Sequence, residues 1–222
     1  LIYKLRIIMR IINIIVATLM FTFFTNLKAE FTYGFSIIGA QTEISGTETE
    51  GTATDTSTRS KTLKEVFVGG DIYAEYTSGG GYTIGLSYVP LDVEIGDGSR
   101  TDSSSGADVA SEADTGTRTA SAELTDLITA YANIPLGAGG WYGLLGVHMT
   151  TVDTSETLPN SKYGNEDIFG GQIGIGQRSG KFKYELSYSD FEDINISSSG
   201  GDNNNSVSAD ADALTFKMSF RF

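Results

Sequence analysis

The sequence is poor in the residues on which most catalytic and metal chemistry depends. Its 222 residues contain no cysteine and a single histidine, His148. The lack of cysteine excludes disulfides and thiolate metal sites. One histidine is too few for the common zinc sites and leaves little for histidine-based catalysis. We therefore expect no cofactor and no metal, and the sequence is more informative about architecture than about chemistry.

Basic residues are also scarce. Fifteen lysines and arginines stand against 28 aspartates and glutamates, which gives a formal net charge of −13. Nucleic-acid binding depends on basic side chains that neutralise phosphates. The composition therefore argues against a nucleic-acid partner.

The first residues have the features of an export signal. Three basic residues are followed by an apolar run over 11–24 and then by the small residue Ala29. This order is typical of a secretory signal peptide. A membrane-spanning helix would need about 20 apolar residues, and this run is shorter and interrupted by Asn13. We predict a signal peptide over 1–29 and one domain over 30–222.

Removal of this signal would make the chain more acidic. It would take away four basic residues and no acidic one, leaving 11 basic residues against 28 acidic ones and a net charge of −17. A strongly acidic balance of this kind fits an exported protein with a hydrated surface.

The rest of the chain alternates between apolar and small or polar residues, which is the period of a β-strand with two different environments. Eight candidate strands follow this pattern, near residues 31–40, 64–76, 82–91, 119–134, 141–151, 167–177, 182–191 and 214–222. Short glycine-containing turns alternate with long connections, at about 41–63, 92–118, 152–165 and 192–208. The short turns therefore lie at one end and the long loops at the other.

This arrangement predicts an all-β fold, an eight-stranded antiparallel up-and-down transmembrane β-barrel with short periplasmic turns and four long extracellular loops. Each strand has about the ten residues that a tilted strand needs to cross a bilayer, and an even strand number with unequal loops is typical of such barrels. Closure also satisfies every strand edge, which hydrocarbon would otherwise make very costly. A secreted sandwich or lipocalin-like barrel is the alternative, but its apolar face would point inward.

One face of the candidate strands carries large apolar residues and no charge, and we interpret it as the lipid face. Aromatic side chains gather on it near the short turns, where amphipathic rings favour the membrane interface. These predicted interface aromatics are Tyr76, Tyr82, Trp141 and Phe182, together with the final Phe222.

The opposite face carries the charged residues, and we expect it to line a narrow lumen. An eight-stranded barrel is just wide enough for side chains to fill it, and buried charges persist when they are paired. The predicted lumen charge network consists of Glu65, Asp71, Glu75, Glu123, Arg178, Lys183, Glu185, Lys217 and Arg221. Asp71 is expected to pair with Lys217 at mid-depth. Nearer the turns the pairing stays open, with Glu75 or Glu185 facing Lys183 or Arg221.

The chain ends in the alternating segment LTFKMSFRF. Together with the export signal and the eight-strand pattern, it resembles the small eight-stranded outer-membrane barrels of Gram-negative bacteria. This superfamily includes the opacity-type adhesins and the transmembrane part of outer-membrane protein A. The resemblance implies an outer-membrane location, with lipid and lipopolysaccharide as surroundings. It also implies that the outer-membrane insertion machinery reads a C-terminal signal formed here by Leu214, Phe216, Met218, Phe220 and Phe222.

The same architecture carries several kinds of function. We predict a non-enzymatic surface protein whose acidic, mobile extracellular loops serve interaction with an extracellular ligand or phage, or envelope structure. A small porin-like channel for ions or small solutes is the alternative. Catalysis would need a partner for His148, but Thr150 rather than serine lies two residues later, and a lone histidine is more often a structural residue. The acidic segment 92–102 lacks the fixed spacing of a calcium loop.

Overall fold

The computed structural model describes residues 29–52, 55–102, 116–157, 162–198 and 206–222. The predicted signal peptide over 1–29 lies outside the described residues except for Ala29, so it stays a prediction. No helix in these five stretches is long and apolar enough to cross a membrane.

Strands account for most of the described chain, and they form one antiparallel sheet. Their bounds are β1 (Glu30–Thr52), β2 (Asp55–Thr77), β3 (Thr83–Val89), β4 (Val93–Asp102), β5 (Gly116–Pro135), β6 (Trp141–Glu156), β7 (Glu166–Ser179), β8 (Phe182–Phe191), β9 (Ile194–Ser197) and β10 (Ser206–Arg221). The pairing of β1 with β10, from Gly34 opposite Arg221 to Thr49 opposite Ser206, closes the sheet into a barrel. β4 continues the wall strand begun by β3, and β9 continues β8. The ten segments therefore make eight wall strands, which confirms the predicted fold.

Three short turns lie at one end of the barrel, which we call the lower rim. They join β2 to β3, β5 to β6 and β7 to β8. Gly140, in the second turn, has a φ of 74°, which residues with a Cβ rarely adopt. A Cβ at this position would also collide with the carbonyl oxygen of Arg178, whose N–H donates to Gly140 O at 2.8 Å. Glycine is therefore required where this turn packs against the neighbouring strand.

A band of exposed apolar side chains surrounds the barrel above the lower rim, and we call it the apolar belt. It includes Phe31, Val66, Val68, Phe169 and Phe216, and Val66 is 77% exposed to solvent. Its strand segments span about ten residues, the length that crosses the hydrocarbon layer at a tilt of about 45°. Water makes such a continuous apolar surface unfavourable, whereas lipid chains accept it. The large apolar residues therefore face outward, as predicted, and the barrel spans a membrane.

The strands continue well above the belt, where the sequence predicted a long loop over 41–63. β1 and β2 stay in register to the pair Thr52 and Asp55. Cross-strand hydrogen bonds between hydroxyl groups join Ser45 to Thr62 and Thr47 to Ser60, both at 3.0 Å. Threonine favours strands, and threonine pairs across a ladder stabilise it. The loop assignment over 41–63 was therefore wrong, because polarity was taken as a sign of irregular structure.

The part of the barrel above the belt, which we call the upper extension, has a different construction from the belt. β2 pairs with β3 only between Ile72 and Thr77, and β4 pairs with β5 but not with β2 among the described residues. Likewise β9 pairs with β10 and not with β7 in the same part of the chain. The upper extension therefore consists of two sheets, β9-β10-β1-β2 and β4-β5-β6-β7.

An apolar layer fills the base of the space between these two sheets. Its buried members are Ile44, Val93, Ile95, Leu124, Val152, Ile168, Ile194, Ile196 and Ala211. Most of them fall in regions predicted as loops, so the sequence interpretation missed this core. At the height of this layer the buried inward-facing residues are therefore apolar, whereas the outer surface is polar.

Candidate functional site

Six charged side chains and three tyrosines fill the barrel interior at the level of the belt, and we call this group the lumen plug. Glu75 lies at its centre. Lys183 Nζ is 2.5 Å from Glu75 Oε1 and Arg178 Nη2 is 3.3 Å from Glu75 Oε2. The hydroxyl of Tyr131 donates a third hydrogen bond to Glu75 Oε1 at 3.0 Å. Lys183 is 0% exposed, so its ammonium group depends entirely on protein partners.

Lys217 holds the second half of the lumen plug together. Its Nζ is 3.0 Å from Asp71 Oδ2 and 3.5 Å from Glu185 Oε2. Glu185 also lies 3.7 Å from Lys183 Nζ and accepts a hydrogen bond of 2.9 Å from the hydroxyl of Tyr142. The two halves are thus joined through Glu185, and the network is continuous.

The formal charges of the lumen plug cancel. Three carboxylates, Asp71, Glu75 and Glu185, face three cations, Arg178, Lys183 and Lys217. Removing a charge from water costs several kcal/mol, and pairing with hydrogen bonding is what makes it tolerable. Since each charge here has an opposite partner, the lumen is closed by a neutral layer of side chains.

Glycine makes room for each of the three tyrosine rings. Tyr73, Tyr131 and Tyr142 lie directly opposite Gly34, Gly85 and Gly176 on neighbouring strands. A Cβ on any of these glycines would approach the facing ring closer than 3.0 Å. The lysines in turn lie over the rings, with Lys183 Nζ 4.5 Å from the Tyr73 centroid and Lys217 Nζ 5.5 Å from that of Tyr131. Cation–π attraction therefore adds to the ion pairs.

The structure brings together six of the nine residues predicted for the lumen charge network. Asp71 contacts Lys217, and of the pairings left open near the turns Lys183 meets both Glu75 and Glu185. The remaining three residues, Glu65, Glu123 and Arg221, lie outside the lumen plug.

Each of these three positions has a structural reason. Glu65 lies above the belt and is exposed. Glu123 needs a correction, because the ladder between β5 and β6 shifts register between Thr125 and Ile128. Leu124 faces inward above this bulge, so Glu123 faces outward. Arg221 lies at the lower rim, where its Nε donates to Gly180 O at 3.0 Å.

The residues predicted as interface aromatics and as the C-terminal signal lie on the outside of the wall. Trp141, Tyr82 and Phe182 are exposed near the lower rim, and Tyr76 is close to it on β2. On β10 and directly after it, Leu214, Phe216, Met218 and Phe222 are exposed apolar residues, and the Phe220 ring packs against Phe35, Phe182 and Phe222. Their roles at the interface and in assembly stay predictions.

His148 has partners that the sequence did not indicate. Its Nδ1 is 2.8 Å from Thr129 Oγ1 and its Nε2 is 2.9 Å from Ser189 Oγ, and its ring stacks on Phe191 at 5.4 Å. A serine next to histidine can form a nucleophilic pair, but the histidine then needs an orienting group that stabilises its positive charge. The Thr129 hydroxyl occupies the position of the orienting group here. His148 and Ser189 are both buried. The arrangement fits a hydrogen-bonded structural layer between the lumen plug and the apolar layer.

No grouping of three or more metal-ligating residues occurs within the described stretches. The plug carboxylates are already engaged by lysine, arginine and tyrosine. The described residues therefore offer a packed interior rather than an ion-binding cage.

Comparison with known proteins agrees with this architecture. No protein-family model matches the sequence, and no curated protein matches it. Among solved structures, the chain is similar to the outer-membrane protein OprG from Pseudomonas aeruginosa, with 12% identity over 85% of this chain and 96% of that chain and a TM-score of 0.51. The fold is that of the small outer-membrane barrels.

Two further solved structures show lower TM-scores. Ail, the attachment invasion locus protein of Yersinia pestis, is 14% identical over 87% of this chain and 99% of that chain, with a TM-score of 0.46. Neisserial surface protein A is 11% identical over 88% and 99%, with a TM-score of 0.40. At such identities the likeness concerns the fold. The likeness to OprG agrees with the fold expected from the sequence, and the apolar belt gives the physical basis for an outer-membrane location.

Proposed function

We propose that this protein is a non-enzymatic outer-membrane surface protein in which a sealed barrel supports the upper extension outside the cell. The observation that carries this proposal is the neutral lumen plug. Among the described residues, paired charges and tyrosine rings fill the lumen at the level of the belt, unlike the water-filled channels of larger barrels. The part of the molecule available for function is then the upper extension.

The outer surface of the upper extension supports a role in contact with the surroundings. Glu94, Glu123 and Asp153 lie side by side across β4, β5 and β6 on its outward face. Just above the belt, Lys64 Nζ is 2.7 Å from Glu43, and this hydrogen bond raises the pKa of Lys64. Such a charged, hydrated surface suits interaction with an extracellular ligand or phage, or with lipopolysaccharide in an envelope-structural role.

Membrane orientation is the first test of this proposal. Because the natural chain has no cysteine, Ser45→Cys in the upper extension and Lys181→Cys at the lower rim each provide a single reactive thiol. A membrane-impermeant maleimide applied to whole cells should label the first variant. The second should be labelled only after the outer membrane is permeabilised. The reverse pattern, or recovery of the protein outside the outer-membrane fraction, would contradict the proposal.

A small porin-like channel is the alternative, and planar-bilayer recordings separate the two. The natural protein should give no stable conductance steps. Combining Tyr131→Ala with Tyr142→Ala removes two rings from the plug and should produce steps, whereas Tyr184→Ala on the lipid face is the matched control and should not. Stable steps from the natural protein that change with these lumen substitutions would favour transport.

Role in the envelope is tested by removing the upper extension. A variant that joins β1 to β2, β3 to β5, β6 to β7 and β8 to β10 directly above the belt should still insert, but should lose any adhesion, phage sensitivity or envelope integrity that the natural protein confers. A variant with Tyr184→Ala, which leaves the extension intact, is the control. If every such assay is unchanged by the deletion, the interaction role is wrong.

A further inference from the structure

The upper extension contains a cavity between its two sheets, above the apolar layer. Its volume is about 420 Å³. An apolar cavity of about 150 Å³ is already large enough to hold benzene, and sites for small organic molecules measure roughly 300–1,000 Å³. This cavity, which we call the upper chamber, therefore has the size of a ligand site rather than of a packing defect.

Small residues on facing strands create the upper chamber. Gly46 on β1, Gly96 on β4, Ala122 on β5 and Ala209 on β10 line it from both sheets. Packed sheets lie about 10 Å apart when large side chains interdigitate between them. Glycine and alanine cannot fill that distance, so the space between the sheets stays open at this height.

The wall of the upper chamber is mainly aliphatic, with Tyr163 as its aromatic member and hydroxyl groups from serine and threonine. Leu63, Ile95, Val152, Ile194 and Ile196 provide the large side chains of the lining. Three charged residues also line the upper chamber, and none of them is buried: Lys61, Asp97 and Glu156. The described residues of the lining include no buried charge, so the part of a ligand that contacts the apolar wall should be uncharged.

The upper chamber has a closed floor. Ile44, Leu124 and Ile168 of the apolar layer lie beneath it, followed by Phe191 on the His148 ring. Below these comes the lumen plug. In the described part of the chain, these layers separate the upper chamber from the lower rim, so the site is suited to binding rather than to passage.

We propose that the upper chamber binds a neutral, linear aliphatic molecule, such as a medium-chain fatty alcohol. The alkyl chain of this molecule would lie between the two sheets and contact isoleucine and valine side chains of the lining. Its polar end would lie toward the exposed charged residues of the lining. The free energy of binding comes from removal of the alkyl chain from water.

Isoleucine methyl NMR in lipid nanodiscs tests this proposal with an internal control. The chamber has Ile95, Ile194 and Ile196, whereas Ile72 and Ile173 are exposed in the apolar belt. Titration with 1-decanol should shift the chamber methyl signals saturably. The belt methyl signals should change in a non-saturating way, as expected for an alcohol dissolved in lipid. If both groups change together without saturation, the proposal is wrong.

Filling the upper chamber provides the matched variants. Ala122→Phe and Ala209→Phe place a ring in it from opposite sheets, and each should weaken 1-decanol binding at least tenfold. Ala132→Phe adds the same ring on the lipid side of β5 and should leave binding unchanged. Folding of each variant is checked by the gel shift between unheated and boiled samples. Retention of natural affinity by either filled variant that folds would overturn the site, whether or not the other folds.

Discussion

The lumen plug and the upper extension use the same strands with opposite polarity. At the level of the belt, apolar residues point outward and charged residues point inward. Just above the belt, the buried inward residues are aliphatic and the outward ones are charged or hydroxyl-bearing. This reversal of polarity is determined by what surrounds the barrel at each height. A side chain facing lipid must be apolar, whereas one facing water has no such restriction. A single barrel can therefore contain a polar interior at the level of the membrane and, directly above it, an apolar core like that of a water-soluble protein.

The comparison predicts that breaking an ion pair in the lumen plug has the largest effect on stability. Glu75→Gln removes the negative charge opposite Lys183, which is fully buried. Loss of one partner of a buried pair costs about 3–5 kcal/mol. We expect this loss in urea unfolding in lipid vesicles, followed by the fluorescence of Trp141, the single tryptophan of the chain.

A double-mutant cycle sharpens this prediction. Glu75→Gln combined with Lys183→Met removes both charges and should cost less than the sum of the two single substitutions. Purely additive losses would show that the two side chains are not coupled and would argue against the plug as a paired network.

The next largest effect is expected in the apolar layer. Ile168 is 1% exposed at its centre, whereas Ile173, five residues later on β7, is 62% exposed in the belt. Ile168→Ala should cost about 2–5 kcal/mol, because it removes buried side-chain volume and leaves a cavity. Ile173→Ala should cost clearly less, since lipid chains can fill the space. Equal losses in urea unfolding would mean that the upper extension has no core of its own.

Tyrosine packing on glycine gives a third prediction. Gly85→Ala would bring a methyl group into the Tyr131 ring, which should destabilise the barrel by about 1–3 kcal/mol. Gly143→Ala is the control, because a Cβ there meets no atom within 4 Å. Thermal loss of the unheated gel form should occur at a lower temperature for the first variant alone. A similar shift in both would indicate that strand propensity rather than ring contact is responsible.

The smallest effect is expected for the exposed ion pair of Lys64 and Glu43. Both side chains are substantially solvent-exposed, at 58% and 42%. Exposed pairs contribute about 0–1 kcal/mol and are screened by salt. Lys64→Met should therefore change the urea midpoint only slightly, and any change should diminish at high salt. A loss as large as that of Glu75→Gln would remove the distinction between buried and exposed pairs.

The sequence predicts the barrel and the central part of the lumen plug because both depend on strict alternation. Asp71, Glu75, Lys183, Glu185 and Lys217 occupy the face opposite the lipid residues, so their common location follows from period two. The pairing partners do not follow, because they depend on strand tilt and on which strands face each other across the lumen.

Alternation of apolar and polar residues does not predict the bulge in β5, the upper extension or the partners of His148. The positive φ of 54° at Asp126 accompanies a shift in register that reverses the direction of Glu123, and one irregular residue leaves little trace in a pattern. The upper extension was missed because its threonine-rich strands are hydrophilic on the outside and short of large residues within. Ser189 was not linked to His148 because the two are 41 residues apart and meet only after the barrel has closed.

The interruptions between β3 and β4 and between β8 and β9 occur in the third and seventh of eight wall strands, on opposite sides of the cylinder. Each leaves a vertical seam above the belt that no described backbone ladder crosses. Along the second seam, the Asn195 N–H reaches Glu166 Oε2 at 2.8 Å. The two upper sheets are therefore joined along these seams by side-chain contacts such as this one, whereas backbone ladders hold each sheet together.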